Sequence, residues 1–319
     1  MSRTEPGLLR RLQYLAEYAA LRALGAAIGL LPEWAAVRAG ATTGWLSWLV
    51  CARRRRIARR NIERAMPGEY TAAEIRQLVR EVFIGIGLTA VENIWMRGRA
   101  TRENIEQRVP LDGIDSMTSE LQEGRAVIGS TPHMGNWELL GGRMAVALGR
   151  VNALARPVNN PNVREYTTRL RENLGITVLS TRNGVRPMIA ALRRKETLAV
   201  LIDQHVNRAS VETTFFGRPA ATTAVVASLA LRFDLPAFIA FDVRDGRSFK
   251  HHAKVVGPIE LVRTGDRKAD VLANTQMLND KTEEIIRRHP EQWLWTHRRW
   301  KLADRLEKGS QKEQAENVG

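Results

Sequence analysis

The sequence predicts an α/β protein: a central, mostly parallel β-sheet sandwiched by helices, with an N-terminal helical segment ahead of it. Three observations predict this. From about Val109 onward, short apolar runs alternate with stretches of helical periodicity, the pattern of strand–helix–strand units. Ahead of that, residues 1–70 read as helical, with two apolar stretches and an arginine run. Between the two, Pro67-Gly68 makes a turn, and Thr71 with Glu74 forms a capping-box pattern. The chain therefore divides into an N-terminal segment (1–70), an α/β domain (71–302) and a polar tail (303–319) that reads as disordered.

The first residues, "MSRTEPGLLRRLQY", are charged and carry a proline, unlike a secretory signal. The apolar stretch from Tyr18 to Leu31 is shorter than the ~20 residues a membrane span needs. A second, Ala41–Val50, runs into "CARRRRIARR". Neither is a convincing span. Both suit helices lying in a membrane interface, with Trp34, Trp45 and Trp48 at head-group level. Arg53–Arg56, Arg59 and Arg60 would then face anionic lipid at about 1 kcal/mol per charge. The alternative is a helical hairpin packed on the domain with a solvated basic face.

The capping box starts a helix running from about Ala72 to Met96. The strands expected after it are Ala126–Ser130, Val151–Ala155, Ile176–Ser180, Leu198–Ile202, Pro236–Val243 and His252–Val256. The helices between them fall near Ile114–Glu123, Trp137–Ala147, Asn162–Leu174, Val185–Arg194 and Thr222–Arg232, with a last one at about Lys268–Arg288.

Composition narrows the function classes. The 319 residues are 44% hydrophobic, enough to build a sizeable core without cross-links. A single cysteine, Cys51, excludes an internal disulfide. No Cys/His spacing suggests a metal site, and no metal or redox cofactor is expected. The net charge of +15, from 49 Lys+Arg against 34 Asp+Glu, favours phosphate-bearing or acidic partners.

The stretch "STPHMGNWELL", Ser130–Leu140, carries the chemistry. A spacing of five sets His133 and Glu138 roughly 140° apart on a helix, so they would not share a helical metal site. A split arrangement fits better. His133 lies in the loop after a strand, Gly135 lets the backbone turn, and Asn136 caps the next helix. Glu138 can then fold back onto one imidazole nitrogen and leave the other as a general base. From spacing alone, a loop histidine and a helix-capping glutamate explain the pattern more readily.

Further motifs add weight. "HMGNWE" resembles the His-x(4)-Asp/Glu signature of the glycerolipid acyltransferase superfamily. "ARPVNNPNV", "LIDQHV", "FFGRPAATTAVVASLALRFDLP" and "PEQWLWTHRRWK" follow in the order seen in the bacterial lipid A late acyltransferases, the lauroyl/myristoyl transferase family. The N-terminal "RRRIARRNIERAMPG" is similar to theirs. The resemblance runs to about Lys301. One departure is Pro132, where many superfamily members carry Asn.

The resemblance implies a glycerolipid acyltransferase-like fold and transfer of a fatty acyl chain from acyl carrier protein or coenzyme A to a hydroxyl of a lipid A precursor or related glycolipid. The acceptor hydroxyl would attack the thioester directly, with no acyl-enzyme. His133 would take the proton and Glu138 would orient it. Arg156, at the end of a strand, would bind phosphate or polarise the thioester carbonyl, or form a surface ion pair. Asp203 and Gln204 end another strand and would bond sugar hydroxyls or hold Arg156, or simply cap a turn. Asn136 and Asn159 would contact polar groups of the substrate. Arg218 would join Thr222 or Thr223 at a helix start to seat a phosphate. His297 reads as structural, and His251, His252 and His289 as surface residues. The implied partners are a carrier thioester, an anionic glycolipid and the cytoplasmic face of the inner membrane, not nucleic acid. Another acceptor, such as a phosphoinositol mannoside, lysophospholipid or ornithine-type lipid, fits the same residues. So, outside this class, does a non-catalytic basic binding protein.

Overall fold

The computed structural model describes residues 7–155, 158–180, 184–207 and 209–307. Three helices open the chain: α1 (Leu8–Gly29), α2 (Glu33–Val50) and α3 (Ala52–Ala65). The long α4 (Ala72–Trp95) follows. Its capping box forms as the sequence predicts: Thr71 accepts from the Glu74 N–H at 3.3 Å and donates its own N–H to Glu74 Oε2 at 2.7 Å.

α2 does not hang free of the domain. Gly44 and Gly87 lie so close across the α2–α4 contact that a Cβ on either would fall inside the backbone of the other helix. This close approach turns the small-residue face of α2 inward and leaves Trp34, Trp45, Leu46 and Leu49 exposed. Trp48, expected on the same surface, packs instead against the core, beneath the Arg55 guanidinium. No helix among the described residues is long and apolar enough to cross a membrane.

The domain then runs through α5 (Arg102–Arg108), β1 (Leu111–Asp112), α6 (Asp115–Gln122), β2 (Val127–Thr131), α7 (Trp137–Leu148), β3 (Val151–Ala155), α8 (Pro161–Asn173), β4 (Ile176–Ser180), α9 (Arg186–Arg193) and β5 (Thr197–Leu201). It ends with β6 (Ser210–Phe215), β7 (Arg218–Thr223), α10 (Val225–Phe233), β8 (Ala237–Arg244), β9 (His251–Ile259) and α11 (Arg267–Arg288). The expected strands and helices are present, with boundaries that coincide or shift by at most three residues. The sheet has seven strands in the order β1-β9-β8-β2-β5-β3-β4. β8 and β9 pair antiparallel and the other pairs are parallel. The fold is thus α/β with a mostly parallel central sheet flanked by helices.

Two segments depart from expectation. Residues 218–223 were expected as a turn and helix start, but they form β7, paired with β6 in a two-stranded hairpin. Phe216 and Gly217 both take positive φ at its tip, the geometry of the tight hairpin turn. The helix begins only at Val225, and Thr222 is buried against Thr213 and Asn279. The tail also starts later than expected: residues 301–307 are helical, and Asp304 pairs with Arg64 at 2.7 Å. The remainder of the tail lies outside the described residues.

Candidate active site

His133 lies two residues past the end of β2, and Asp203 two residues past the end of β5. Those strands are neighbours with Thr131 opposite Leu201, so sheet register alone brings the two side chains together. His133 Nδ1 stands 2.7 Å from Asp203 Oδ1, and the His133 backbone N–H donates to Oδ2, also at 2.7 Å. The Trp293 indole N–H donates to the same Oδ2 at 2.7 Å. Burial opposes ionisation of Asp203, but His133 and these donors outweigh it and hold the carboxyl at about 2. An ionised carboxylate accepting from Nδ1 fixes the tautomer and leaves Nε2 as the basic nitrogen. The carboxylate is buried at 1% exposure while the imidazole keeps 16%, so the base can reach a ligand and its partner cannot.

This corrects one expectation. Glu138 does not bond to His133. It sits in the first turn of α7, and its carboxylate is gripped by Arg171 of α8 through two guanidinium nitrogens, Nη2 and Nε, the latter at 2.7 Å. The same bond, against the cost of burial, raises the Arg171 pKa. Both Glu138 and Arg171 line the cavity that His133 faces.

That cavity measures about 1020 Å³ and lies between α7 and the sheet. Its floor follows from the sequence. Gly129, Ala199 and Ala153 are paired side by side on adjacent strands, with Val178 next. Three small residues in one row leave a trough across the strands. A Cβ on Gly129 would meet nothing within 4 Å. Leu140 and Met144 of α7 and Ile176 of β4 supply aliphatic walls. A second cleft of about 840 Å³ opens on the other side of His133 and Trp137, so the imidazole stands where two cavities meet.

The other predicted positions fall as follows. Gln204 lines the main cavity. Asn159 is exposed beside Asn160, which caps α8. Arg156 lies outside the described residues. Asn136 is not available to a substrate: it is fully buried, its Oδ1 caps α7 through the Leu139 N–H, and its amide donates to Glu92. Arg218 does not sit at a helix start: it opens β7 and forms an ion pair with Glu307. In the terminal motif Trp293, Trp295 and Trp300 are buried, and so is Arg299, at 0% exposure; it donates to the Ala221 carbonyl at 2.8 Å, and burial lowers it to about 10. His297 accepts from the His205 N–H at 3.1 Å. Burial, helped by the nearby cations, pushes it down to about 4, so it is a neutral group on the cavity wall. His252 is exposed and pairs with Asp112, and His289 is partly exposed. His251 is not a surface residue; it is buried between Asp242 and Glu92.

Among the described residues no cluster of His, Cys, Asp or Glu could hold a metal ion. An oriented imidazole at the carboxyl edge of an open α/β sheet, over an aliphatic cavity, defines a protein that can accept a proton beside an apolar ligand. The chain belongs to the bacterial lipid A biosynthesis acyltransferase family, whose pattern matches residues 6–302. It is 28% identical over 201 residues to the phosphatidylinositol mannoside acyltransferase of Mycobacterium tuberculosis, covering 61% of this chain and 60% of that one. It is 26% identical to two proteins of Escherichia coli K12. The lipid A biosynthesis palmitoleoyltransferase aligns over 78% of this chain and 79% of its own, and the lauroyltransferase over 85% and 87%. The match thus spans about 60% of the mycobacterial relatives' length.

Proposed function

We propose that the protein is an O-acyltransferase that moves a fatty acyl chain from a carrier-protein or coenzyme A thioester to a hydroxyl of a lipid A precursor or related glycolipid. The observation that carries this reading is the His133–Asp203 pair at the mouth of the aliphatic cavity. His133 Nε2 takes the proton of the acceptor hydroxyl as its oxygen attacks the thioester carbonyl. A C–O bond forms, the C–S bond breaks, and the proton passes from the imidazolium to the leaving thiolate. Asp203 stabilises the imidazolium that forms in between. Glu138 and Arg171 form a charge-paired wall that fixes the substrate beside the imidazole. The chain of the donor lies in the trough over Gly129, Ala199 and Ala153. A non-catalytic binding protein has no use for a buried carboxylate that orients an accessible imidazole toward an aliphatic cavity.

The exposed apolar residues of α1 and α2 rest on the cytoplasmic face of the inner membrane without crossing it. Leu8, Leu9, Leu12 and Leu15 are each more than half exposed, as an interfacial helix requires. The arginines of α3 suit an anionic lipid surface or an acidic carrier protein. A second acceptor is favoured by the mycobacterial relatives, whose name specifies phosphatidylinositol mannoside.

The test is direct. Purified protein is incubated with acyl-carrier-protein or acyl-CoA thioesters and with each acceptor, beside the His133→Ala variant. Transfer by the wild type and none by the variant supports the reading. Equal transfer by both removes the mechanism.

A further inference from the structure

A second polar cluster, outside the cavity chemistry, underlies the His133 loop. Glu92 of α4, Asp242 and Arg244 of β8 and His251 of β9 are all at least 95% buried. His251 bridges the two acids, with Nδ1 at 2.6 Å from Asp242 and Nε2 at 2.9 Å from Glu92. Arg244 donates to Glu92 at 2.7 Å and to the Thr89 hydroxyl at 3.0 Å. Burial disfavours a charge on His251, but the two carboxylates outweigh it and push the ring up to about 9. The cluster is then two anions and two cations and is neutral as a whole. Ionised groups this deep require opposite charges beside them.

The cluster grips the loop at three points. Asp242 Oδ2 accepts the Asn136 N–H at 2.7 Å. Glu92 accepts the Asn136 side-chain amide at 2.8 Å. Thr89, itself held by Arg244, donates to the Gly135 carbonyl at 3.0 Å. Gly135 has φ +56° and lies directly on Asp242, so that any Cβ would collide with it.

The cluster also reaches Asp203. The backbone of Arg244 exchanges hydrogen bonds with the Gln292 side chain at 2.7 and 2.9 Å. The Gln292 carbonyl accepts the Gly135 N–H at 3.2 Å. The next residue, Trp293, bridges to Met134 and donates to Asp203. One buried cluster therefore touches both the loop that carries His133 and the segment that holds its partner.

We propose that Glu92, Asp242, Arg244 and His251 are positioning residues that set the His133–Asp203 geometry for acyl transfer; this rests on the function proposed above. A buried, paired cluster of this kind is rigid, because displacing any member leaves an unpaired charge. Its contribution is orientation of the base rather than contact with substrate.

Two variants test it in the intact chain. Glu92→Gln neutralises one anion. Thr89→Val is near-isosteric and removes the link to Gly135 together with the bond from Arg244, leaving the contacts among Glu92, Asp242 and His251 in place, so it serves if Glu92→Gln fails to fold. Folding is checked by circular dichroism. Two readouts follow, on carrier-protein thioesters with a lipid A precursor or phosphatidylinositol mannoside. The first is kcat against KM. The second is the proton NMR resonance of the His133–Asp203 hydrogen bond, assigned by its loss in Asp203→Asn. The expected result is a kcat lowered by about tenfold or more with KM changed by less than about threefold, and a shifted or broadened resonance. Restoring an acid with Glu92→Asp recovers part of kcat. An unmoved resonance and unchanged kcat in folded variants would overturn the positioning role. The resonance needs no substrate, so it decides this role even where the wild type transfers nothing, a result that would count against the function alone.

Discussion

His133 Nδ1 and Asp203 Oδ1 stand 2.7 Å apart across neighbouring parallel strands, although the residues are 70 positions apart in the chain. Glu138, five residues from His133, is bound to Arg171 instead. The partner of the base is therefore set by strand register and not by proximity in sequence. Asp203→Asn should lower kcat by roughly 10²-fold or more, in the range of losing oriented base catalysis. Glu138→Gln should act mainly on KM, because it releases Arg171 rather than the imidazole. Steady-state kinetics of the two variants separate the roles. A larger kcat loss in Glu138→Gln than in Asp203→Asn would return the orienting role to Glu138.

Chain length should respond to Gly129. It sits in the row with Ala199 and Ala153, and a Cβ there meets open space. Gly129→Leu should fold with little loss of stability and shift donor preference to shorter acyl chains. Competition between thioesters of different length measures it. An unchanged preference would place the chain elsewhere in the cavity.

Stability should fall on both sides of neutral pH, for two identified groups. His251 is raised from its ordinary 6.5 to about 9. Its stabilisation is complete below the unfolded value and is lost as pH rises through 9, on the order of 3 kcal/mol in all. Asp203 is lowered from 3.8 to about 2, so its share is present above the unfolded value and is lost as pH falls toward 2. Urea unfolding from pH 3 to 10 checks both limbs. Stability that stays level from pH 7 to 9.5 would show that His251 is not charged in the fold.

Docking of α2 should depend on its glycines. A side chain at Gly44 or Gly87 meets backbone of the facing helix, which no rotamer relieves. Gly44→Val should cost about 1–3 kcal/mol or more, as overpacking does, and loosen α1–α2 first. Hydrogen exchange along α2 and α4 reads this out. Exchange unchanged in both helices would contradict the close contact.

Much of this was legible in the sequence. Periodicity located the main strands, and the capping patterns located the starts of α4 and α7, because those signals are local. β6 and β7 were not found, since Pro219 and the alanines that follow read as a turn and a helix. The site was half legible. His133 and Asp203 were both placed at strand ends, but their pairing depends on β2 lying beside β5, which no local pattern states. Sequence proximity favoured Glu138 instead. The alternating "HHAKVV" of β9 could have warned that His251 faces inward while His252 faces out. Arg171 carried no signal at all, since an arginine on a polar helix reads as solvated.

If His133, oriented by Asp203, is the base for acyl transfer to a lipid hydroxyl, its loss should be visible in the lipids of the cell. The most direct test is mass spectrometry of lipids from cells lacking the gene, complemented with wild type, His133→Ala or Asp203→Asn. The deletion should leave a glycolipid lighter by one acyl chain. Wild type should restore it, His133→Ala should not, and Asp203→Asn should restore it poorly. Full restoration by His133→Ala would show that His133 is not the base.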